Sequence, residues 1–346
     1  MTVTGDAVLW YVHHHGTGHW RHATAVARRL ARPVVFASSR HPSVPLRDGD
    51  CWVRLTGDLA PVPRDPTAGG RLHWAPIGHD GLLARHRQLL TLAADVAPAV
   101  AVVDVSVEVA VLLRLSGVPL VSVRFPGHRD DPAHRLGFDV SDVVIAPVPA
   151  RLDLVPCAPR TRHVGFVSNI ASRPRPWQAG GPVVVLIGTG GSRLDLDCAA
   201  ALARRLPGRS IQVVGTGAGQ TTGQGGPPNL RTIGWVDDPE PLLSWASVVV
   251  GNAGVGTVAD VIATGRPLVV VPEARPFGEQ AATAAALDRA GVAGVVDDPS
   301  DVDALVGAIS TAERRGPADV GLAGGAVGFA ELVDDVASRH ALAVVS

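Results

Sequence analysis

The sequence has no lysine, one methionine, one tyrosine and only 4% aromatic residues. Without lysine, arginine supplies all 31 Lys-or-Arg charges, and these face 32 acids to leave a net charge of −1 at pH 7. No basic excess is left to bind a phosphate backbone, so nucleic acid is not an expected partner. With so few aromatics, the core has to be built from Val, Leu and Ala. The three cysteines, Cys51, Cys157 and Cys198, are far apart, odd in number and form no CxxC. That excludes a disulfide scaffold and points to free thiols in a reducing compartment. Long hydrophobic runs are also missing. The most apolar long stretch, residues 96–115, is interrupted by Asp104 and Glu108, and no segment reads as a membrane span. The opening MTVTGDAVLWYV has no cationic segment ahead of its apolar run and does not read as a signal peptide. The expected location is cytoplasmic, with peripheral contact at the inner face of a membrane left open.

What is present is a chain of 346 residues, 46% hydrophobic and 18% charged. That is enough to bury two cores and too apolar for disorder. Short Val-rich runs at residues 7–12, 34–37, 100–103, 120–123, 143–145, 183–187, 211–214, 248–250 and 268–271 alternate with Ala/Leu/Arg segments of helical period. Continuous apolar strands separated by helices imply parallel sheets covered on both faces. A Pro, Gly and Arg-rich stretch, SRPRPWQAGG at residues 172–181, has no apolar period and precedes a new strand. The expected organisation is a Rossmann-like domain at residues 1–170, a linker at 171–181, and a second Rossmann-like domain at 182–326. A helix at 327–346 is expected to fold back on the first domain. Each half opens with a strand, a Gly-rich turn and a helix.

The most informative segment runs from Gly234 to Gln280. A strand ends in GNAGVGT, with Asn252, Gly254, Val255, Gly256 and Thr257 leading into a helix. Glycine lets backbone approach an anion closely, and the unpaired N–H groups and positive dipole end of a helix bind phosphate. The Thr257 hydroxyl is a further donor. Asp260 follows three residues later on the same helical face, placed to accept from a ribose diol. Glu279 and Gln280 lie at the C-terminal edge of the next strand, where open α/β sheets bind ligands, and are candidates for holding sugar hydroxyls.

Two other turns have related chemistry. In the first half, Gly16, Thr17 and Gly18 precede His19 at a helix start, where the helix dipole disfavours an imidazolium. A neutral imidazole there is a competent general base. In the second half, Gly188, Thr189, Gly190, Gly191 and Ser192 form the first strand–helix turn, and their N–H groups can stabilise negative charge. The run His13, His14 and His15 has no acid or thiolate at ligand spacing, and no metal site is expected from it. Asp195-Leu196-Asp197 has a DxD pattern, but its place at a helix start favours acids that complement the dipole.

The series Val236-Asp237-Asp238, Gly254, Thr257, Asp260, Gly265, Pro267, Pro272 and Gln280 resembles the donor site of the MurG-like glycosyltransferases. The turn at residues 16–19 resembles the GTGGH motif of that family, and residues 188–192 resemble its GGS turn. The resemblance implies two Rossmann-like domains with facing clefts, the GT-B arrangement, and a UDP-sugar as co-substrate with no obligatory cofactor. It implies that the backbone at Val236 reads a pyrimidine, that residues 254–257 hold the diphosphate, and that Glu279 and Gln280 hold the donor sugar. It also implies that His19 deprotonates the acceptor and that the anomeric carbon inverts. The family usually has Glu where this chain has Asp260. It also carries HEQN where this chain has a loop containing Phe125 and His128, expected to shape the choice of a small-molecule, glycan or lipid-linked acceptor. Two other enzymes fit parts of the pattern. A nucleotide-sugar 2-epimerase shares the fold. An NADP-dependent oxidoreductase would use Ser38, Ser39 and Arg40, although Arg21 stands where the dinucleotide fingerprint needs its third glycine.

Overall fold

The computed structural model describes residues 5–14, 16–155, 158, 160–170, 175–188, 190–215 and 226–343. Thr189, His15 and Cys157 lie outside the described residues. The chain divides into two compact units.

The first unit holds residues 1–147, 156–164 and 325–346. Its elements are β1 (Val8–Tyr11), α1 (Gly18–Ala27), β2 (Val34–Ser38), β3 (Cys51–Arg54), α2 (Asp80–Val96), β4 (Val100–Asp104), α3 (Val107–Leu115), β5 (Leu120–Val123), α4 (Pro132–Asp139), β6 (Val143–Ala146) and β7 (Thr161–His163). Seven parallel strands lie in the order β3-β2-β1-β4-β5-β6-β7. The central strands are buried along their whole length, as expected when helices cover both faces of a sheet. Strand order reverses direction between β1 and β4, and that switch point opens a crevice at their C-terminal ends. The starts of α2, α3 and α4 are capped by side chains. Ser106 accepts from the Val109 N–H ahead of α3, and Asp131 accepts from the Ala133 and His134 N–H groups ahead of α4.

The second unit holds residues 148–155 and 165–324. It contains β8 (Val183–Ile187), α5 (Leu196–Arg205), β9 (Ile211–Gly215), β10 (Leu230–Gly234), α6 (Glu240–Trp245), β11 (Val248–Asn252), α7 (Val255–Ala263), β12 (Leu268–Val271), α8 (Glu279–Arg289), β13 (Ala293–Val295) and α9 (Val302–Arg315). Its six parallel strands run β10-β9-β8-β11-β12-β13, with the switch point between β8 and β11. The last helix, α10 (Gly325–Ala343), belongs to the first unit. Its Phe329 is fully buried and stacks on Trp10 of β1 with ring centroids 5.5 Å apart.

Much of the Pro-rich stretch is fastened to the second unit. The Trp177 indole donates to the Ser247 carbonyl at 2.8 Å, and Arg266 donates to the Arg175 carbonyl at 2.9 Å. The Gly180 N–H donates to Glu313 at 3.0 Å, and the Arg175 guanidinium lies 5.4 Å from the Trp245 ring centre.

One buried ion pair braces the crevice side of the first unit. Arg85 of α2 is 2% exposed and donates to the Tyr11 hydroxyl at 3.0 Å, the Asp58 carboxylate at 2.8 Å, the Thr56 carbonyl at 2.9 Å and the Ser39 hydroxyl at 3.0 Å. It thereby ties α2 to the ends of β1 and β2. Burial pushes the Tyr11 phenol up to about 12, so it stays neutral beside the guanidinium. Removing one partner of a buried pair leaves the other charge uncompensated. Arg85→Ala is expected to lose about 3–5 kcal/mol in urea unfolding, and adding Asp58→Ala should return a large part of it. A single Arg85→Ala loss under about 1 kcal/mol would contradict this role.

Candidate functional site

The second unit gathers most of the sequence-predicted donor residues at its switch point. β8 ends at Ile187 and β11 ends at Asn252, and the two strands are neighbours. Gly188 follows β8 directly, and a Cβ there would stand 2.6 Å from the Asn252 amide nitrogen. Only glycine allows this approach. Asn252 is 8% exposed, and its Oδ1 accepts from the Gly254 N–H at 2.9 Å and from the Thr257 hydroxyl at 3.1 Å. The amide thus holds the turn that leads into α7, and the Thr257 proton points at Asn252 rather than outward. Helix geometry leaves the N–H groups of Val255, Gly256 and Thr257 without intrahelical acceptors. Gly256 is exposed, while Gly254 and Thr257 are half-buried. This is a helix end suited to an anion.

Gln280 does something the sequence does not suggest. It is 5% exposed, and its Oε1 accepts from the Ala253 N–H at 3.1 Å and the Glu273 N–H at 2.9 Å. Its oxygen therefore clamps the ends of β11 and β12 together and is not offered to a sugar. Its amide nitrogen lies 3.6 Å from where a Cβ on Gly254 would be. Glu279 occupies the first turn of α8, where its charge complements the dipole. Val236 is half-buried just after β10. Asp260 lies on α7, and its Oδ1 accepts from the Ser168 hydroxyl at 2.5 Å.

The glycine turn after β8 is held by residues that sequence reasoning missed. Glu273, 7% exposed, accepts from the Ser192 hydroxyl at 3.1 Å and the Arg193 N–H at 2.7 Å. Arg275 donates to the Gly191 carbonyl at 2.7 Å. Gly190 and Gly191 remain exposed. Arg193 reaches the Pro272 carbonyl at 2.5 Å and the Asp297 carbonyl at 2.7 Å. The loop after β12 thus braces the turn after β8. Polar residues at the C-terminal ends of parallel strands were the available signal. Of the DxD acids, Asp195 caps α5 by accepting from the Cys198 N–H at 2.8 Å.

In the first unit, Gly16 has a φ of +67° and α1 starts at Gly18, so His19 sits in its first turn beside Thr17. The His19 Nδ1 lies 2.7 Å from the Asp104 Oδ2, at the end of β4 across the switch point. Asp104 is fully buried, while the His19 side chain is 20% exposed. Sequence reading registered Asp104 only as a break in an apolar run. Its carboxylate fixes the tautomer: Nδ1–H donates to Asp104, and Nε2 is the basic nitrogen. Phe125, 7% exposed, sets its ring edge-on to both His19 and His22, each at 5.7 Å. His128 is exposed on the loop beyond.

His73, Asp131 and His134 bring three ligand-type atoms within 4.8 Å of one another. The hydrogen bonding there favours a proton over a metal. Arg129 can only donate, and it lies 3.1 Å from the His134 Nε2. The proton must then sit on His134 Nδ1, which is paired with Asp131. A cation on Nδ1 would force Nε2–H against the guanidinium. Burial, opposed by Asp131 and aided by Arg129, brings His134 down to about 4.

Residues 183–317 match the glycosyltransferase family 28 C-terminal domain. The fold is that of the solved GT-B glycosyltransferases. A curated relative, the UDP-N-acetylglucosamine–N-acetylmuramyl-(pentapeptide) pyrophosphoryl-undecaprenol N-acetylglucosamine transferase of Paenarthrobacter aurescens (strain TC1), is 32% identical over 187 residues. That match covers 51% of this chain and 46% of the relative, so the chain spans about half the length of the relative it matches. Among solved structures, MurG of Acinetobacter baumannii superposes with a TM-score of 0.62 at 15% identity, covering 95% of this chain and 99% of that one. The spinosyn rhamnosyltransferase SpnG superposes with a TM-score of 0.64 at 18% identity, covering 96% of each chain, and is also known complexed with thymidine diphosphate. Among the described residues, no helix is long and apolar enough to cross a membrane.

Beside the His19 pair lies a second imidazole. His22 is 7% exposed, and among the described residues neither ring nitrogen has a hydrogen-bond partner. It is enclosed by Trp10, Phe125 and Phe329. Burial lowers it to about 4, against an upward pull from Asp104 and with a further lowering by His19. Protonation therefore favours the unfolded chain. The contribution is complete above pH 6.5 and is lost as pH falls toward 4, amounting to about 3 kcal/mol by linkage. Urea unfolding at pH 7 and pH 4.5 should reveal that loss, and His22→Phe should flatten it. An unchanged pH dependence in His22→Phe would refute the assignment.

Proposed function

We propose that this chain is a glycosyltransferase that passes a sugar from a pyrimidine nucleoside-diphosphate sugar to an acceptor hydroxyl. The sequence pattern implies a UDP-sugar carrying a hexose or N-acetylhexosamine. The observation that carries the reading is the convergence, at one switch point, of the glycine turn after β8 with the uncapped amino end of α7. Diphosphate is the ligand chemistry that a bare helix end beside a glycine turn suits best. The match of residues 183–317 to a glycosyltransferase domain supports it.

In the proposed reaction, the acceptor oxygen attacks the anomeric carbon while the sugar–phosphate bond breaks. His19 Nε2 takes the acceptor proton, and Asp104 holds the ring and stabilises the imidazolium that forms. The negative charge left on the departing diphosphate goes to the N–H groups of residues 190–191 and 255–257. Val236 reads the base through its backbone, and Glu279 contacts the donor sugar. The direct displacement inverts the anomeric centre, and these donors do the work without an obligatory metal. The acceptor is a small molecule, a glycan or a lipid-linked sugar, shaped by the loop with Phe125 and His128. The protein works in the cytoplasm or at the inner membrane face.

Thermal-shift measurement separates the donor classes. UDP or dTDP at about 100 times Kd should stabilise the protein by about 2.7 kcal/mol, whereas NADPH and GDP should not. Stabilisation by NADPH alone would replace this reading with a dinucleotide site. With a competent acceptor, His19→Ala should lower kcat about 10²- to 10⁴-fold, and Asp104→Asn by a comparable factor, with nucleotide affinity unchanged. Wild-type turnover in His19→Ala would remove the proposed base.

A further inference from the structure

Two arginines flank the glycine turn after β8, and charge separates their roles. Arg193 has a counter-charge. Its Nε lies 3.5 Å from the Oε2 of buried Glu273, and its guanidinium also donates to the Pro272 and Asp297 carbonyls. Together Arg193 and Glu273 are neutral, and they hold the two loops to one another. Arg275 is different. Among the described residues it makes no ion pair, and its hydrogen bonds go to two neutral carbonyls, Gly191 at 2.7 Å and Ala274 at 3.2 Å.

The Arg275 guanidinium lies against the turn itself. A Cβ on Gly190 would stand 3.4 Å from its Nη2. Gly190 and Gly191 are exposed and Arg275 is half-buried, so the group stays open to a ligand on the turn. The loop that bears it is fastened. The Gly278 N–H donates to the Arg275 carbonyl at 3.1 Å, and the Glu273 N–H donates to Gln280 at 2.9 Å. Those two carbonyl contacts use two of the five N–H donors that a guanidinium carries.

A nucleoside diphosphate gains negative charge as its sugar departs. Backbone N–H groups at residues 190–191 and 255–257 meet that charge with dipoles and bring no net charge of their own. A guanidinium brings the charge, and its planar fork matches two phosphate oxygens. The loop bearing Arg275 runs into α8 at Glu279, the residue assigned above to the donor sugar. The cation therefore belongs at the sugar end of the diphosphate.

We infer that Arg275 binds the sugar-linked phosphate of the donor and supplies the positive charge that offsets the diphosphate as it leaves. The inference rests on the donor-site reading above and adds to it a residue that the sequence pattern does not single out.

The test is calorimetry on the full chain with UDP and UMP, which differ by the phosphate at issue. The wild-type protein should bind UDP about tenfold or more tighter than UMP. Arg275→Gln keeps a donor for the Gly191 carbonyl and loses the charge. It should lower UDP affinity about ten- to a hundredfold, the scale of a hydrogen bond to a charged group, and leave UMP affinity within about twofold. Arg275→Lys keeps the charge without the fork, and its UDP affinity should fall between wild type and Arg275→Gln. Equal wild-type affinity for the two nucleotides, an unmoved UDP affinity in Arg275→Gln, or an equal fall for both would overturn the inference and leave the donor site standing. If neither nucleotide binds the wild-type protein, the donor-site reading falls and this inference with it.

Discussion

The candidate donor site depends on one buried amide. Asn252 ends β11, and its Oδ1 takes the first N–H of the following turn and the Thr257 hydroxyl, which sets where α7 begins. Its amide nitrogen stands against Gly188 closely enough to forbid a side chain there. A longer amide would push the β8 turn away, and a shorter side chain would release the helix start. Gln280 makes a matching clamp, joining the ends of β11 and β12 through one oxygen. Two amides thus hold three strand ends in register. The N–H groups of the first turn of α7 are left without intrahelical acceptors. Such preorganisation matters because a loosely held anion site loses affinity to the entropy of ordering it.

In the first unit, electrostatics replaces backbone geometry as the organising term. Asp104 is fully buried, and among the described residues its Oδ1 has no hydrogen-bond partner. A carboxylate so placed pays heavily in desolvation unless a donor or cation compensates. His19 supplies that donor at 2.7 Å. The arrangement gains most when the imidazole becomes charged, which is when a general base has just taken a proton. His22, close by and wholly enclosed by rings, answers the same field differently. Burial outweighs Asp104 and keeps it neutral. Two histidines three residues apart on one helix thus have different chemistry, decided by exposure.

The central strands were legible because continuous Val-rich runs leave little alternative. Edge strands were not. β3 (CWVR), β7 (TRH), β10 (LRTIG) and β13 (AGV) mix apolar with charged or small residues, because only part of each is covered. Their pairing is decided by neighbours that no local pattern encodes. The glycine turns were legible as motifs, since glycine spacing reports backbone conformation directly. The directions of the side chains within those motifs were not. Thr257 and Gln280 read as candidate ligand contacts, and the structure shows that each also bonds to its own chain. Asp104 and Ser168 looked like nothing, because their partners are 85 and 92 residues away. A polar residue closing an apolar strand is a weak signal alone and becomes a strong one only when topology puts it at a switch point.

The two halves also differ in how far they resemble known proteins, and physical constraint accounts for the difference. A family model matches residues 183–317, within the unit built around the helix end and glycine turn. Diphosphate recognition is made mainly by backbone N–H groups at fixed geometry, and few sequences produce it. An acceptor hydroxyl needs only a positioned base and a cavity of suitable shape, which many loops can supply. In the proposed reaction the Gly16–Gly18 turn and the His19–Asp104 pair meet the first need. The loop carrying Phe125 and His128 meets the second, and it departs from the family pattern. Divergence is therefore expected where the ligand is met by side chains on loops, and retention where it is met by the backbone. On that argument, of the two halves of the proposed reaction, acceptor identity is the one least transferable from the proteins this chain resembles, and phosphate recognition the most.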